Sequence, residues 1–327
     1  MVEISVIVTA YNRKEFLNEA LSSLEKQTID KNNFEVILLT NFKYDVSDFT
    51  TINIRHFILD GTVGEYMYKA IRESNGEIVC FLDDDDIYSE EKLLTLSKNF
   101  TDDTVYYKHA VHPFRRKEEI TGNIAKSSGK IKQIERADLM HPDIYAYNRT
   151  SIALRREFIF NDAEALSKLD VSEDWFFFLA FISSKGKGIY DENKLSYYRK
   201  HQSVSSKAIT QSDENYNSYI NYLNRLINSF NYMKTIFVDK FAQKILGFQL
   251  SVFRTRLSLL KGENDTSPSK EDIRNLFQAS ISNYNEFWII KFLFLRGFIR
   301  CYLPKLSIKT EYIYAMASKK INSFGRS

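Results

Sequence analysis

One stretch limits what this chain can fold into more than any other: Ile78-Val79-Cys80-Phe81-Leu82 opens directly into Asp83-Asp84-Asp85-Asp86. The apolar run, with its β-branched and aromatic members, suits a short strand buried on both faces. Adjacent carboxylates repel one another and stay ionised together only beside a cation or strong hydrogen-bond donors. The join therefore predicts a metal site at the end of a core strand, and a fold that brings other polar strand ends to it.

The preceding residues supply such ends. Ile4 to Val8 reads as a buried strand followed by the polar turn Thr9-Ala10-Tyr11-Asn12-Arg13. Phe16, Leu17, Ala20, Leu21 and Leu24 recur at helical spacing, with Asn12 as the expected cap. Phe34 to Leu39 is a second strand ending at Thr40-Asn41, Ile52 to Leu59 a third, and Glu65 to Ser74 a helix set between Gly64 and Gly76. Strand, helix, strand implies right-handed crossovers and a parallel sheet, in which ligands bind beyond the carboxyl ends of the strands. Thr9, Tyr11, Thr40, Asn41 and the aspartates are then expected to share one crevice.

After the acids, Ser89-Glu90-Glu91 reads as a helix start, to which Asp86 is also expected to contribute. Tyr106 to Arg149 shows weak patterning and reads as an insertion or acceptor-facing region, with a basic stretch at Arg115-Arg116-Lys117. Ser151 to Leu154 is a further strand. Glu173-Asp174 opens the apolar helix Trp175 to Phe181, a placement that would also suit plain stabilisation of the helix dipole. Tyr190 and Leu195 to Tyr198 mark a last strand, followed by Arg199-Lys200-His201.

Together these segments resemble the inverting glycosyltransferases of family 2, over about residues 1 to 206. Ser5 to Asn12 looks like the family's opening strand and nucleotide-contact turn, and Phe81 to Asp86 like its DxD motif. Glu173-Asp174-Trp175 looks like its catalytic acidic pair, and Tyr198-Arg199-Lys200-His201 like its closing segment. The resemblance implies an α/β GT-A fold, Rossmann-like, of the nucleotide-diphospho-sugar transferase kind. It implies Mn²⁺ or Mg²⁺ held by Asp85 with His201, and donor contacts from Thr9, Tyr11, Asn41, Asp83 and Asp84. Asp174 would be the general base and Glu173 would orient the acceptor, a hydroxyl of a glycan, lipid-linked or polymer substrate. Such a metal neutralises the diphosphate charge that grows as the sugar leaves. Two positions depart from the family pattern: Thr40-Asn41 stands where an acidic pair commonly reads the base or ribose, and Met67-Tyr68 where an arginine or asparagine is usual. UDP-linked donors are the default expectation. A non-catalytic sugar-nucleotide-binding or scaffolding protein with the same fold is the alternative those departures raise.

Residues 207–327 read as a separate helical region, with Tyr216, Tyr219, Ile220, Leu223 and Ile227 on one stripe. Within 287–303 an aromatic, apolar run is interrupted by Lys291, Arg296 and Arg300. That pattern fits a helix lying in a membrane interface, and equally one packed internally or against a second copy of the chain. The net charge of +3 argues against a whole-protein nucleic-acid binder. Cys80 and Cys301 suggest neither a disulfide framework nor a zinc cluster. Met1 to Val8 lacks the features of a signal peptide, so the expected location is cytoplasmic, at the inner face of the membrane if the tail is interfacial.

Overall fold

The computed structural model describes residues 2–120, 129–135, 138–140, 144, 148–200, 213–261, 268–281, 294–295 and 297–298. The chain divides into two compact units, 1–201 and 202–327.

The first unit is built on one mixed sheet. Its strands are β1 (Ile4–Ala10), β2 (Phe34–Thr40), β3 (Ile54–Ile58), β4 (Ile78–Asp83), β5 (Ile87–Tyr88), β6 (Thr104–Phe114), β7 (Ile131–Gln133), β8 (Ile152–Arg155) and β9 (Lys187–Arg199). They lie in the order β3-β2-β1-β4-β8-β6-β9-β5, with β7 on β9. The expected parallel pairing holds for β1 to β4. It then changes, because β8 runs antiparallel to both β4 and β6. The chain leaves β1 first toward β2 and β3 and returns to β4 on the other side, which opens a crevice at the carboxyl ends of β1 and β4. Thr9 and Asp83 are register partners at that point.

Helices α1 (Leu17–Glu25), α2 (Val63–Glu73) and α3 (Lys92–Asn99) bury apolar faces. The side chain of Asn12 does not cap α1. The helix begins beyond Phe16, and Asn12 takes a left-handed φ of 55° in the turn leaving β1. At α2, Thr62 and Glu65 form a reciprocal capping box. Ser89 likewise gives α3 no side-chain cap, since the helix starts after Glu91 and the Ser89 hydroxyl is buried. Asp86 does not serve that helix start either: its carboxylate accepts the Arg199 N–H at 3.0 Å, pinning the acidic loop to β9.

The region expected to be an insertion contains β6, a strand inside the sheet between β8 and β9. Its apolar pattern is obscured by Lys108 and His109, both buried. β9 is likewise longer than its apolar residues suggest. It runs through the polar Asp191-Glu192-Asn193, where the pairing with β6 shifts register.

The short helices α4 (Arg156–Phe160) and α5 (Ala163–Ser167) precede α6 (Glu173–Ser183). α6 is apolar all round because it is a core element: Phe176, Phe177 and Phe178 have no exposure, and Phe177 stacks on Phe81 of β4 at 4.8 Å. That packing fixes where the helix, and hence Glu173-Asp174 at its start, can lie.

The second unit contains α7 (Asp213–Ile236), α8 (Lys240–Lys261) and α9 (Lys270–Ile281). Leu223, Phe230 and Met233 of α7 are buried, and Phe230 meets Phe253 of α8 edge-on at 5.0 Å. The Tyr216 side chain and most of 287–303 lie outside the described residues. Among those described, no helix is long and apolar enough to cross a membrane.

Candidate active site

The antiparallel β8 explains how distant residues meet. Its start lies at the same sheet edge as the end of β4, so Arg149-Thr150-Ser151, the turn entering β8, sits beside Asp83. The Asp83 N–H donates to Thr150 Oγ1 at 3.1 Å. From this turn Arg149 extends a buried guanidinium. Its Nη2 donates to Thr9 Oγ1 at 2.8 Å and to Asp83 Oδ1, while Nη1 donates to Glu173 Oε1 at 2.7 Å. Three expected site residues, from β1, β4 and α6, thus converge on one arginine.

A second arginine holds the next two acids. Arg13, in the turn after β1, donates Nε to Asp84 Oδ2 at 2.8 Å and Nη2 to Asp84 Oδ1 at 2.5 Å, and the same Nη2 lies 2.7 Å from Asp85 Oδ2. The repulsion inherent in the sequence is therefore answered by two guanidinium groups. Burial nevertheless outweighs Arg13 and raises the Asp84 pKa, and burial with Asp83 and Asp85 nearby pushes Asp86 well up. Arg199 closes the far side: its Nε donates to the Asp85 carbonyl at 2.9 Å and its Nη2 to Glu19 at 2.6 Å, with the rings of Phe16 and Phe114 on it.

The other expected donor contacts line the rim. Tyr11 is 52% exposed; its hydroxyl donates to Asp60 at 3.2 Å and its ring meets Tyr66 edge-on. Asn41 is engaged with Asn12, accepting that residue's N–H at 2.9 Å and donating to its side-chain oxygen at 2.6 Å. His201 lies outside the described residues.

Asp174 adjoins Glu173 in the first turn of α6 and accepts the Trp175 N–H at 2.8 Å. Ser172, just before Glu173, has the left-handed φ of 69°, a conformation rarely adopted by a residue with a side chain. Burial and then the Glu173 charge push the Asp174 carboxyl up to about 7, against the pull of the Trp175 N–H, Lys108 and Arg149. A carboxylate poised there can take up and release a proton near neutral pH.

Among the described residues no three His, Cys, Asp or Glu side chains are grouped as a metal ion would need. The carboxylates have the hard oxygen chemistry that suits Mg²⁺ or Mn²⁺, ions that can bind through one or two protein carboxylates with phosphate and water completing the shell. In that respect the donor set fits such an ion.

Arg13, Arg149, Lys108 and Asp60 are the site residues that sequence patterning does not single out. Arg149 carries one usable signal: it stands shortly ahead of the apolar run Ile152-Ala153-Leu154, as Asp83 stands just after one.

Parallel strands in the order 3-2-1-4 with an antiparallel continuation give the GT-A fold. Residues 5–160 match the family model "Glycosyl transferase family 2". The poly(ribitol-phosphate) beta-N-acetylglucosaminyltransferase TarS of Staphylococcus aureus (strain Mu50 / ATCC 700699) is 32% identical over 102 residues, 28% of this chain and 18% of that protein. A poly(ribitol-phosphate) beta-glucosyltransferase of Bacillus spizizenii is 29% identical over 104 residues, 28% of this chain and 16% of that protein. The match thus spans less than a fifth of each curated relative's length. The crystal structure of S. aureus TarS 1-349 in complex with UDP-GlcNAc shares the fold, with a TM-score of 0.52 at 18% identity over 87% of this chain and 92% of that one.

Proposed function

We propose that this protein is a metal-dependent inverting glycosyltransferase that moves a sugar from a nucleotide-diphosphate donor, by default a UDP-sugar, to a hydroxyl of a polymer or lipid-linked glycan acceptor. The observation that carries the reading is the meeting of Thr9, Asp83 and Glu173 on Arg149 at the β1–β4 crevice, with Asp174 next to Glu173 and its pKa raised to about 7. A UDP-sugar is supported by the UDP-GlcNAc bound in the TarS structure, and a polymer acceptor by the names of the two curated relatives.

In this reading the donor's base lies against the exposed face of Tyr11, near Asn41, and its ribose and diphosphate lie along Thr9 and Asp83 to Asp85. Asp85 and His201 would hold Mn²⁺ or Mg²⁺, which supplies charge to offset the departing diphosphate. Arg13, already against Asp84 and Asp85, places a positive charge beside those acids. Asp174 takes the proton of the acceptor hydroxyl. The acceptor oxygen bonds to the anomeric carbon as the bond to the diphosphate oxygen breaks and that oxygen leaves with the electron pair. One displacement inverts the centre, so no second catalytic carboxylate is required, and Glu173 is left to orient the acceptor.

The test is release of nucleoside diphosphate from a panel of sugar nucleotides with Mn²⁺, comparing the native chain with Asp85→Ala and Asp174→Asn. Turnover that depends on the metal and on both aspartates is expected. Binding of a sugar nucleotide without any turnover would instead favour the non-catalytic binding protein. For the tail, we propose that 287–303 lies in the membrane interface. The full chain should then sediment with anionic vesicles, and the replacements Trp288→Glu and Phe292→Glu should abolish that sedimentation. Vesicle binding that survives both replacements would count against an interfacial 287–303.

A further inference from the structure

Arg149 has more structural support than its contacts with the expected site residues require. Its turn is fastened from several directions. Lys92 of α3 donates to the Thr150 carbonyl at 2.5 Å, Lys108 of β6 donates to Ser151 Oγ at 2.8 Å, and Asp83 donates its N–H to Thr150. Ser151 bonds back to the Asn148 carbonyl through both its N–H, at 3.1 Å, and its hydroxyl, at 2.7 Å; Asn148 itself holds a φ of 65°. The root of the guanidinium is therefore fixed, and its fork is aimed before any ligand arrives. One arm reaches the strand ends at Thr9 and Asp83 and the other reaches Glu173, with the Met67 sulfur 3.8 Å from Nη1. A planar fork can serve both directions at once, which a lysine ammonium on a flexible stem does less well.

We infer that Arg149 is a positioning residue that, by bridging Asp83 and Glu173, neutralises the acid beside Asp174 and leaves Asp174 as the group that exchanges a proton at the site. The kinetic consequence of this rests on the glycosyltransferase reading; the electrostatic consequence does not. The groups that face Asp174 are Glu173 on its own helix, Lys108 and Tyr106 of β6, and Arg149 from the turn before β8, together with the Trp175 N–H. Glu173 opposes ionisation of Asp174, while Arg149 and Lys108 favour it. Without Arg149, the Glu173 charge would stand unanswered beside Asp174, and two adjacent carboxylates in a buried setting do not both ionise readily.

The experiment is a carboxyl-carbon NMR titration of aspartates in the unliganded full chain, with the Asp174 signal assigned by its loss in Asp174→Asn. Glu173→Gln should weaken Asp174's proton affinity by about tenfold, and Arg149→Met should strengthen it by about tenfold. Arg149→Lys, which keeps the charge without the fork, should move it in the same direction as Met but less far. In turnover of UDP-GlcNAc with Mn²⁺, the acid limb of kcat/KM should move with the same signs. A purely structural arginine would lower kcat without moving the limb in opposite directions for the two partners. If Arg149→Met fails to fold, Arg149→Lys and Glu173→Gln carry the test, because the latter leaves Arg149 with Asp83 and Thr9. An Asp174 titration that is unchanged in these variants would overturn the inference. Undiminished turnover by Asp174→Asn would instead overturn the catalytic reading and leave the titration result standing.

Discussion

Arg13 and Arg149 divide the acidic run between them, Asp83 going to Arg149 and Asp84 and Asp85 to Arg13. Arg13→Ala would leave the buried Asp84 without its cation. The Arg13 side chain is partly exposed, so the expected loss lies between the ~0–1 kcal/mol of a surface pair and the ~3–5 kcal/mol of a broken buried one. Urea unfolding would measure it. Lys92 offers a test with a sign. It is fully buried, donates to the Thr150 carbonyl, lies over the Tyr88 ring at 3.4 Å, and burial lowers its pKa to about 7 from 10.5. Between those values the unfolded chain binds more protons at this lysine than the folded one, so its contribution to stability rises with pH from about 7 to about 10. Lys92→Met should remove that rise from the pH dependence of unfolding. An unchanged slope would mean that Lys92 stays protonated inside the fold.

At the scale of elements, α2 and α6 place the site. Gly64 lets α2 approach the backbone around the end of α5, where an added Cβ would lie 2.3 Å from the Leu166 carbonyl oxygen and 2.6 Å from that of Leu169. Gly64→Ala should therefore cost about 1–3 kcal/mol in unfolding experiments, a typical overpacking penalty. Much of this layer can be read in the sequence: the strands at Ile4, Phe34 and Ile78, the helices between them, and α6 with its acidic start all follow from apolar period and length. β6 is hidden because a buried strand that carries Lys108 and His109 does not look apolar. Arg149 is hidden for a related reason, since its meaning comes from the antiparallel pairing of β8, a non-local fact that no local pattern encodes. Asn12 and Ser89 resemble helix caps because strand-end turns and helix starts use the same residue types.

The chain divides into a unit over 1–201 with the GT-A fold and a second unit over 202–327 whose described residues include α7, α8 and α9. In the first, the family match and the crevice at β1 and β4 point to the same chemistry. In the second, the proposal that 287–303 lies in a membrane interface predicts that vesicle sedimentation depends on Trp288 and Phe292. The claim that joins the acidic run to a reaction is that Asp174 removes the acceptor's proton. The most direct measurement is the pH dependence of metal-supported turnover of UDP-GlcNAc, run for the native chain and for Asp174→Asn. Because the base must be ionised, kcat/KM should rise with pH through about 7 in the native chain. Asp174→Asn should lower kcat by about 10²–10⁴-fold and lose that limb while still binding the donor. A variant that keeps both native turnover and the same acid limb would show that the proton goes elsewhere.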